Sequence, residues 1–177
     1  MAAAGTLWAT IAEEASAESP LWAQALRPPQ ERRAEPVFSP LCEPRFALGL
    51  ESIYEGYLLH YGRPRLFAPA DADNALLLGD YLYAHGLVRI ASHDVVGAVA
   101  DLAELISLCA QLRAEGADGD GAAWAATAAL LGQGRLGAAR DALRVGGDPD
   151  PLLGLAYAAA DETAVEAALA AHRLRVG

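Results

Sequence analysis

Two glutamates one helical turn apart are the first candidates for chemistry in this sequence. Glu51 and Glu55 lie in a stretch whose apolar residues recur every three or four positions, which is the period of an α-helix. A spacing of four places both carboxylates on one face of that helix, where they could share a metal ion. Such pairs are more often a solvated face, and that is the interpretation we favour here.

A single aspartate, Asp80, follows Gly79 inside an otherwise apolar helical run. A carboxylate among leucines and tyrosines needs a partner, because burying an unpaired charge costs free energy. We expect a structural role, in which a neighbouring arginine or a tyrosine hydroxyl satisfies Asp80 in the core.

The elements that position these residues are all predicted to be helical. No stretch alternates with the period of two that is typical of a strand, so we predict an all-α fold. Periodicity, capping residues and breakers predict helices over 3–26, 44–62, about 74–89, 92–113, 122–131, 135–145 and 151–172.

Several details of these helices can be predicted as well. Pro20 should kink or restart the first helix, and Asp73 should cap helix 74–89. That helix is apolar nearly all round, so we expect it to lie centrally between neighbours. The proline-rich stretch 27–40 predicts two regions: an N-terminal helix with its linker (1–40) and a helical domain (41–177).

Composition excludes several classes of function. The net charge of −10 argues against nucleic acid and anionic membrane surfaces as partners. The basic residues are all arginine, so a phosphate-binding loop of the Gly-x-x-x-x-Gly-Lys type is excluded. The two cysteines and four histidines lack metal-site spacing, and no catalytic constellation is apparent. We expect no signal peptide and no transmembrane segment, and hence a cytoplasmic protein.

The order of landmarks along 51–113 resembles that of the trans-isoprenyl diphosphate synthases, the polyprenyl synthetase family. That family has a Glu-x-Ile-His-x-x-x-Leu-Leu-His helix, a loop ending in an Arg-Gly-Arg-Pro-like sequence, and a helix carrying Gly-Asp-Tyr-Leu. The corresponding stretches here are 51–60, 62–65 and 79–82, with weaker matches at 103–112, 126–130 and 154–157. The resemblance implies a compact helical bundle like a shortened isoprenoid-synthase fold.

The departures from the family concern its metal ligands. Carboxylates of the Asp-Asp-x-x-Asp type hold magnesium ions on the allylic diphosphate in that family, but residues 60–62 lack them here. At the second motif Asp161 and Glu162 remain, whereas Val165 replaces the third carboxylate. The resemblance therefore implies no cofactor; the alternative is a Mg²⁺ ion at Asp161 and Glu162, a pair better explained as a helix surface.

The resemblance also implies candidate ligand contacts. Arg63 and Arg65 are candidate diphosphate-binding residues, although without an opposing metal cluster they are better explained as surface charges of a loop. Asp80 and Tyr81 are candidate pocket-lining residues, because the corresponding helix of the family lies near the substrate channel.

The sequence therefore predicts a non-catalytic polyprenyl-synthetase-like protein that acts as an accessory or regulatory subunit. Its partner would be a prenyl synthase or a larger complex, such as a quinone-linked one. In a membrane-bound complex the protein would lie at the periphery of the membrane. The protein would form a homo- or hetero-oligomer through helix packing. An isoprenoid or quinone ligand is a further possibility. The alternative is an active magnesium-dependent prenyltransferase or terpene-synthase-like enzyme, with a rebuilt metal cluster of Asp161, Glu162, Asp80, Glu51 and Glu55.

Overall fold

A computed structural model describes residues 4–176, with side chains from Leu7 onward. Within this range the only extended pairing is an isolated antiparallel bridge between Leu26 and Phe67, so the all-α prediction is confirmed. The helices are α1 (Ala4–Glu18), α2 (Pro20–Ala25), α3 (Ala47–Tyr61), α4 (Ala72–Ala91), α5 (Val96–Glu115), α6 (Asp120–Ala129), α7 (Gly137–Gly146), α8 (Asp150–Ala159) and α9 (Glu162–Val176). None of these helices is both long enough and apolar enough to cross a membrane.

The break between α1 and α2 lies where the sequence predicted it. Ser19 has an extended backbone and its hydroxyl accepts a hydrogen bond from the N–H of Leu21, while Pro20 occupies the first helical position. Together α1 and α2 form an arm whose apolar residues pack on α4 and on the loop before it. This smaller core contains Trp8, Ile11, Ala15, Ala25, Leu59, Leu66, Phe67, Leu78 and Leu82.

Helix α3 is the central element of the main core. Every residue from 49 to 59 is buried, so α3 is surrounded on all sides. Side chains from α5, α6, α8 and α9 complete this core, with Trp124 of α6 as its largest fully buried residue. The helix ends at Gly62, as predicted, because Pro64 follows and the N–H of Gly62 bonds the carbonyl of Leu58.

The prediction that helix 74–89 lies centrally is wrong. Helix α4 is at the outside of the bundle, with Leu77 58% and Val88 65% exposed. Its buried side presents Leu78, Gly79, Leu82, Gly86 and Ile90 to its neighbours. Periodicity could not decide between the faces, because leucine and valine occur on both.

The starts of α4 and α9 differ from the prediction. Asp71, not Asp73, caps α4, since its carboxylate accepts a hydrogen bond from the N–H of Asn74 at 2.8 Å. The predicted helix 151–172 is two helices, α8 and α9, because the chain becomes extended at Ala160. Asp161 then accepts a hydrogen bond from the N–H of Ala164 and starts α9.

Glycines on both α3 and α4 allow these helices to pack at backbone distance. A Cβ atom at Gly56 would lie 2.8 Å from the carbonyl oxygen of Gly79, and one at Gly86 would lie 2.8 Å from that of Gly49. Backbone atoms cannot move away from such a contact without separating the helices. At Gly79, the glycine before Asp80, a Cβ atom would lie 2.6 Å from His60 Nε2 and 3.2 Å from the carbonyl oxygen of Gly56, so this glycine also favours the close packing.

Replacing Gly56 by alanine should destabilise the protein by about 1–3 kcal/mol, because the steric clash outweighs the better helix propensity of alanine. Gly154→Ala is the matched control, since this helical glycine has open space around it. That variant should be stabilised by about 0.5–1 kcal/mol. Urea unfolding followed by circular dichroism measures both, and effects of equal sign would contradict the close packing of α3 on α4.

Candidate functional site

The guanidinium of Arg65 is fully buried between the two glutamates of α3. Its Nε donates to Glu55 Oε2 at 2.9 Å, and its Nη1 donates to Glu51 Oε2 at 2.6 Å. Further donations reach the carbonyl oxygens of Glu35 and Glu51. Burial by itself would lower the pKa of Arg65, but the two carboxylates outweigh it and raise the pKa above its usual value.

The remaining oxygens of the two glutamates bind backbone N–H groups. Glu51 Oε1 accepts from Val37 and Ser39, and Glu55 Oε1 accepts from Arg65 and Leu66. Every carboxylate oxygen of the pair thus has a partner in the protein. The interpretation of these glutamates as a solvated face is wrong, because both are fully buried.

Two aromatic rings flank the Arg65 guanidinium. Its central carbon lies 4.4 Å from the ring centroid of Trp8 on α1 and 4.9 Å from that of Tyr54 on α3. The flat guanidinium suits such stacking, and the rings shield the ion pairs from water. We call Arg65, Glu51 and Glu55 the Arg65 cluster.

The other residues with predicted roles are placed as follows. Arg63 is exposed, and its Nη2 donates to the carbonyl of Leu174. The Asp80 side chain is 71% exposed, 3.2 Å from His60 Nε2, so the expected burial of Asp80 in the core is wrong. Tyr81 packs its ring on Trp22 at 4.2 Å.

The rebuilt metal cluster of the alternative interpretation does not assemble. Asp161 and Glu162 are exposed at the start of α9, while Arg65 neutralises Glu51 and Glu55 inside the core. Among the side chains that the structure describes, no three metal-ligating groups come together. The carboxylates that the sequence suggested as metal ligands therefore do not come together in one site.

A groove lined by arginines lies where three segments meet on the surface. Its lining combines the stretch 27–35, the turn at 63–64 and the last turns of α9, and its volume is about 720 Å³. The charged residues along it are Arg27, Glu31, Arg33, Glu35, Arg63 and Arg175. The sequence predicted only a linker over 27–40. It did not predict this arginine-lined groove, because the residues that line the groove are far apart along the chain.

A second ionic cluster ties α9 to α3, α5 and α6. The carboxylate of Asp120 accepts hydrogen bonds from the Tyr57 hydroxyl and from Arg113, and it lies 3.3 Å from His172 Nε2. The other ring nitrogen of His172 is 3.0 Å from the Tyr54 hydroxyl. Burial raises the pKa of Asp120, but His172, Tyr57 and Arg113 outweigh it and hold the pKa far below its ordinary value.

No protein family, curated protein or solved structure matches this chain. The resemblance to the polyprenyl synthetase family therefore stays a prediction.

Replacing Arg65 by methionine should destabilise the protein by about 3–5 kcal/mol, because it leaves two buried carboxylates without a counter-charge. Adding Glu51→Gln and Glu55→Gln to that variant should restore part of the loss, since neutral amides still accept the backbone N–H bonds. Urea unfolding at pH 7 measures the series.

The control for this series is Arg135→Met, which removes an exposed arginine. Its stability should change by less than about 0.5 kcal/mol. A loss of the same size in Arg65→Met and Arg135→Met would contradict a structural role for the Arg65 cluster.

Asp120 should make stability depend on acid pH. Because the pKa of Asp120 is depressed on folding, its carboxylate contributes its full stabilisation above its ordinary pKa of 3.8, and this contribution is lost progressively as the pH falls from 3.8 through the depressed pKa of the folded state. Asp120→Asn should therefore cost about 2 kcal/mol or more at pH 7 and less at pH 3, where the loss of this contribution has begun. Urea unfolding at both values tests this, with exposed Asp118→Asn as the control. An equal cost of Asp120→Asn at both pH values would rule out the effect.

Proposed function

We propose that this chain is a non-catalytic polyprenyl-synthetase-like protein that acts as an accessory subunit of a partner prenyl synthase. The observation that carries the proposal is the Arg65 cluster. The carboxylate pair of α3 is the sequence feature with the best spacing for sharing a metal ion, and an internal arginine neutralises it.

The cluster supports a non-catalytic role on energetic grounds. A divalent cation binds carboxylate oxygens that are free to coordinate it. Here all four oxygens of Glu51 and Glu55 accept hydrogen bonds from the protein, and Arg65 supplies the positive charge. Exchanging Arg65 for a metal ion would require moving a fully buried side chain out of the core.

The surface of α2 and α4 supports a protein partner. Leu21 on α2 and Leu77 and Val88 on α4 are each more than half exposed. The two helices contact each other through the packed rings of Trp22 and Tyr81. Contiguous exposed patches of large apolar side chains are typical of surfaces that bind another protein, and we propose that these side chains belong to one such surface.

The experiment combines this chain with a trans-isoprenyl diphosphate synthase from the same organism. With magnesium and geranyl, farnesyl or geranylgeranyl diphosphate, the chain alone should release no pyrophosphate. Added to the synthase, it should bind and change the distribution of product chain lengths. Pyrophosphate release by the chain alone, or a product distribution that it leaves unchanged, would refute the proposal.

Charge insertion in the α2 and α4 surface tests the interface. Leu77→Glu with Val88→Glu should weaken synthase binding at least about tenfold, or ~1.4 kcal/mol, because a desolvated carboxylate is costly at an apolar contact. The matched control is Val145→Glu on α7, where the valine is also exposed. Equal losses in both variants would place the interface elsewhere.

A further inference from the structure

We propose that the arginine-lined groove binds a soluble, multiply charged phosphate ester. The inference rests on the arginines of the groove alone and is independent of the proposed accessory role.

The charge of the groove opposes the charge of the chain. Four arginines and two glutamates line it, which gives a net charge of +2 in a protein whose net charge is −10. A local positive site in an acidic protein attracts small anions, while the remaining surface repels large anionic ones. This favours a soluble ligand over an anionic membrane.

Three of the four arginines of the groove have no ion-pair partner among the residues that the structure describes. Within the described part of the chain, Arg27, Arg33 and Arg63 have no carboxylate within ion-pair distance of their side chains. Arg175 has one, at 3.6 Å, but its partner Glu35 has a side chain that is 75% exposed. Elsewhere in the protein, Arg65, Arg113 and Arg140 each bind a buried carboxylate. Among the described side chains, three guanidinium groups in the groove are thus free of a carboxylate partner and can meet an external anion together.

The backbone around these arginines is held in place before any ligand arrives. The N–H of Arg27 donates to the carbonyl of Leu66, and the N–H of Arg33 donates to that of Arg65. On the other wall, the N–H of Arg63 donates to the carbonyl of Arg175 at 3.0 Å. Because these segments are fixed to one another, binding would order mainly side chains, which lowers its entropic cost.

The chemistry of the lining suits phosphate oxyanions. A guanidinium presents planar paired donors that match phosphate in a bidentate geometry, and several around one groove favour a ligand with more than one negative charge. The volume of about 720 Å³ is within the range of small-molecule sites. A di- or triphosphate ester fits both the size and the charge.

The test is isothermal titration calorimetry of the full chain with inorganic pyrophosphate and tripolyphosphate in low salt, about 20 mM, where charges are weakly screened. Both anions should bind, with an affinity that falls as salt is raised. Arg33→Glu should weaken binding at least about tenfold; Arg33 is exposed, so this variant should fold. Arg135→Glu makes the same charge change away from the groove and should bind like the unaltered chain.

A second variant and a second probe complete the test. Arg63→Gln should also weaken pyrophosphate binding, with circular dichroism confirming that it folds. Sedimentation with phosphatidylglycerol vesicles should show no binding. The proposal is overturned if neither anion binds, if Arg33→Glu and Arg135→Glu bind equally, or if the chain binds the vesicles but not the soluble anions.

Discussion

The ion pairs of Arg65 with Glu51 and Glu55 are the constraint on which the rest of the structure depends. Taking three charges out of water costs several kcal/mol each, and the cost is offset only when every donor and acceptor finds a partner. Here the partners come from four different parts of the chain: α1, the stretch 35–39, α3 and the turn at 65–66. A well-packed apolar core could reach similar stability, so we infer that the charges favour one arrangement among the helical alternatives.

The groove on the surface follows from this buried cluster. The carbonyl of Arg65 accepts from the N–H of Arg33, the carbonyl of Leu66 accepts from the N–H of Arg27, and the N–H of Ala68 donates to the carbonyl of Ala25. The buried arginine thereby positions the exposed ones, although it does not itself reach solvent. Removing its charge would disturb the core first and the groove as a consequence, so the stability of the core and the shape of the groove are coupled through Arg65.

Local sequence signals predicted the local structure well. The break at Ser19 and Pro20 and the end of α3 at Gly62 each depend on residues within a few positions of one another. The partners of Glu51 could not be predicted in this way, because Arg65 is 14 residues further along and charge alone does not reveal burial. Likewise, Asp80 points to solvent although the glycine before it packs on α3. The reason is that a helix turns by 100° between adjacent residues. The arginine-lined groove could not be predicted from local signals, because only the tertiary fold brings residues of α9 next to the turn before α4.

The walls of the groove have a consequence for the order of folding. Arg63 and Leu174, whose side chain and carbonyl meet there, are 111 residues apart along the chain. Closing so long a loop is entropically costly, whereas α3 and α4 are consecutive helices that can pair through local contacts. The hairpin of α3 and α4 would then form early, and the groove would appear only after α9 had docked. A groove assembled in this order would be complete only in the finished fold, so it would distinguish a completed molecule from one that has merely collapsed.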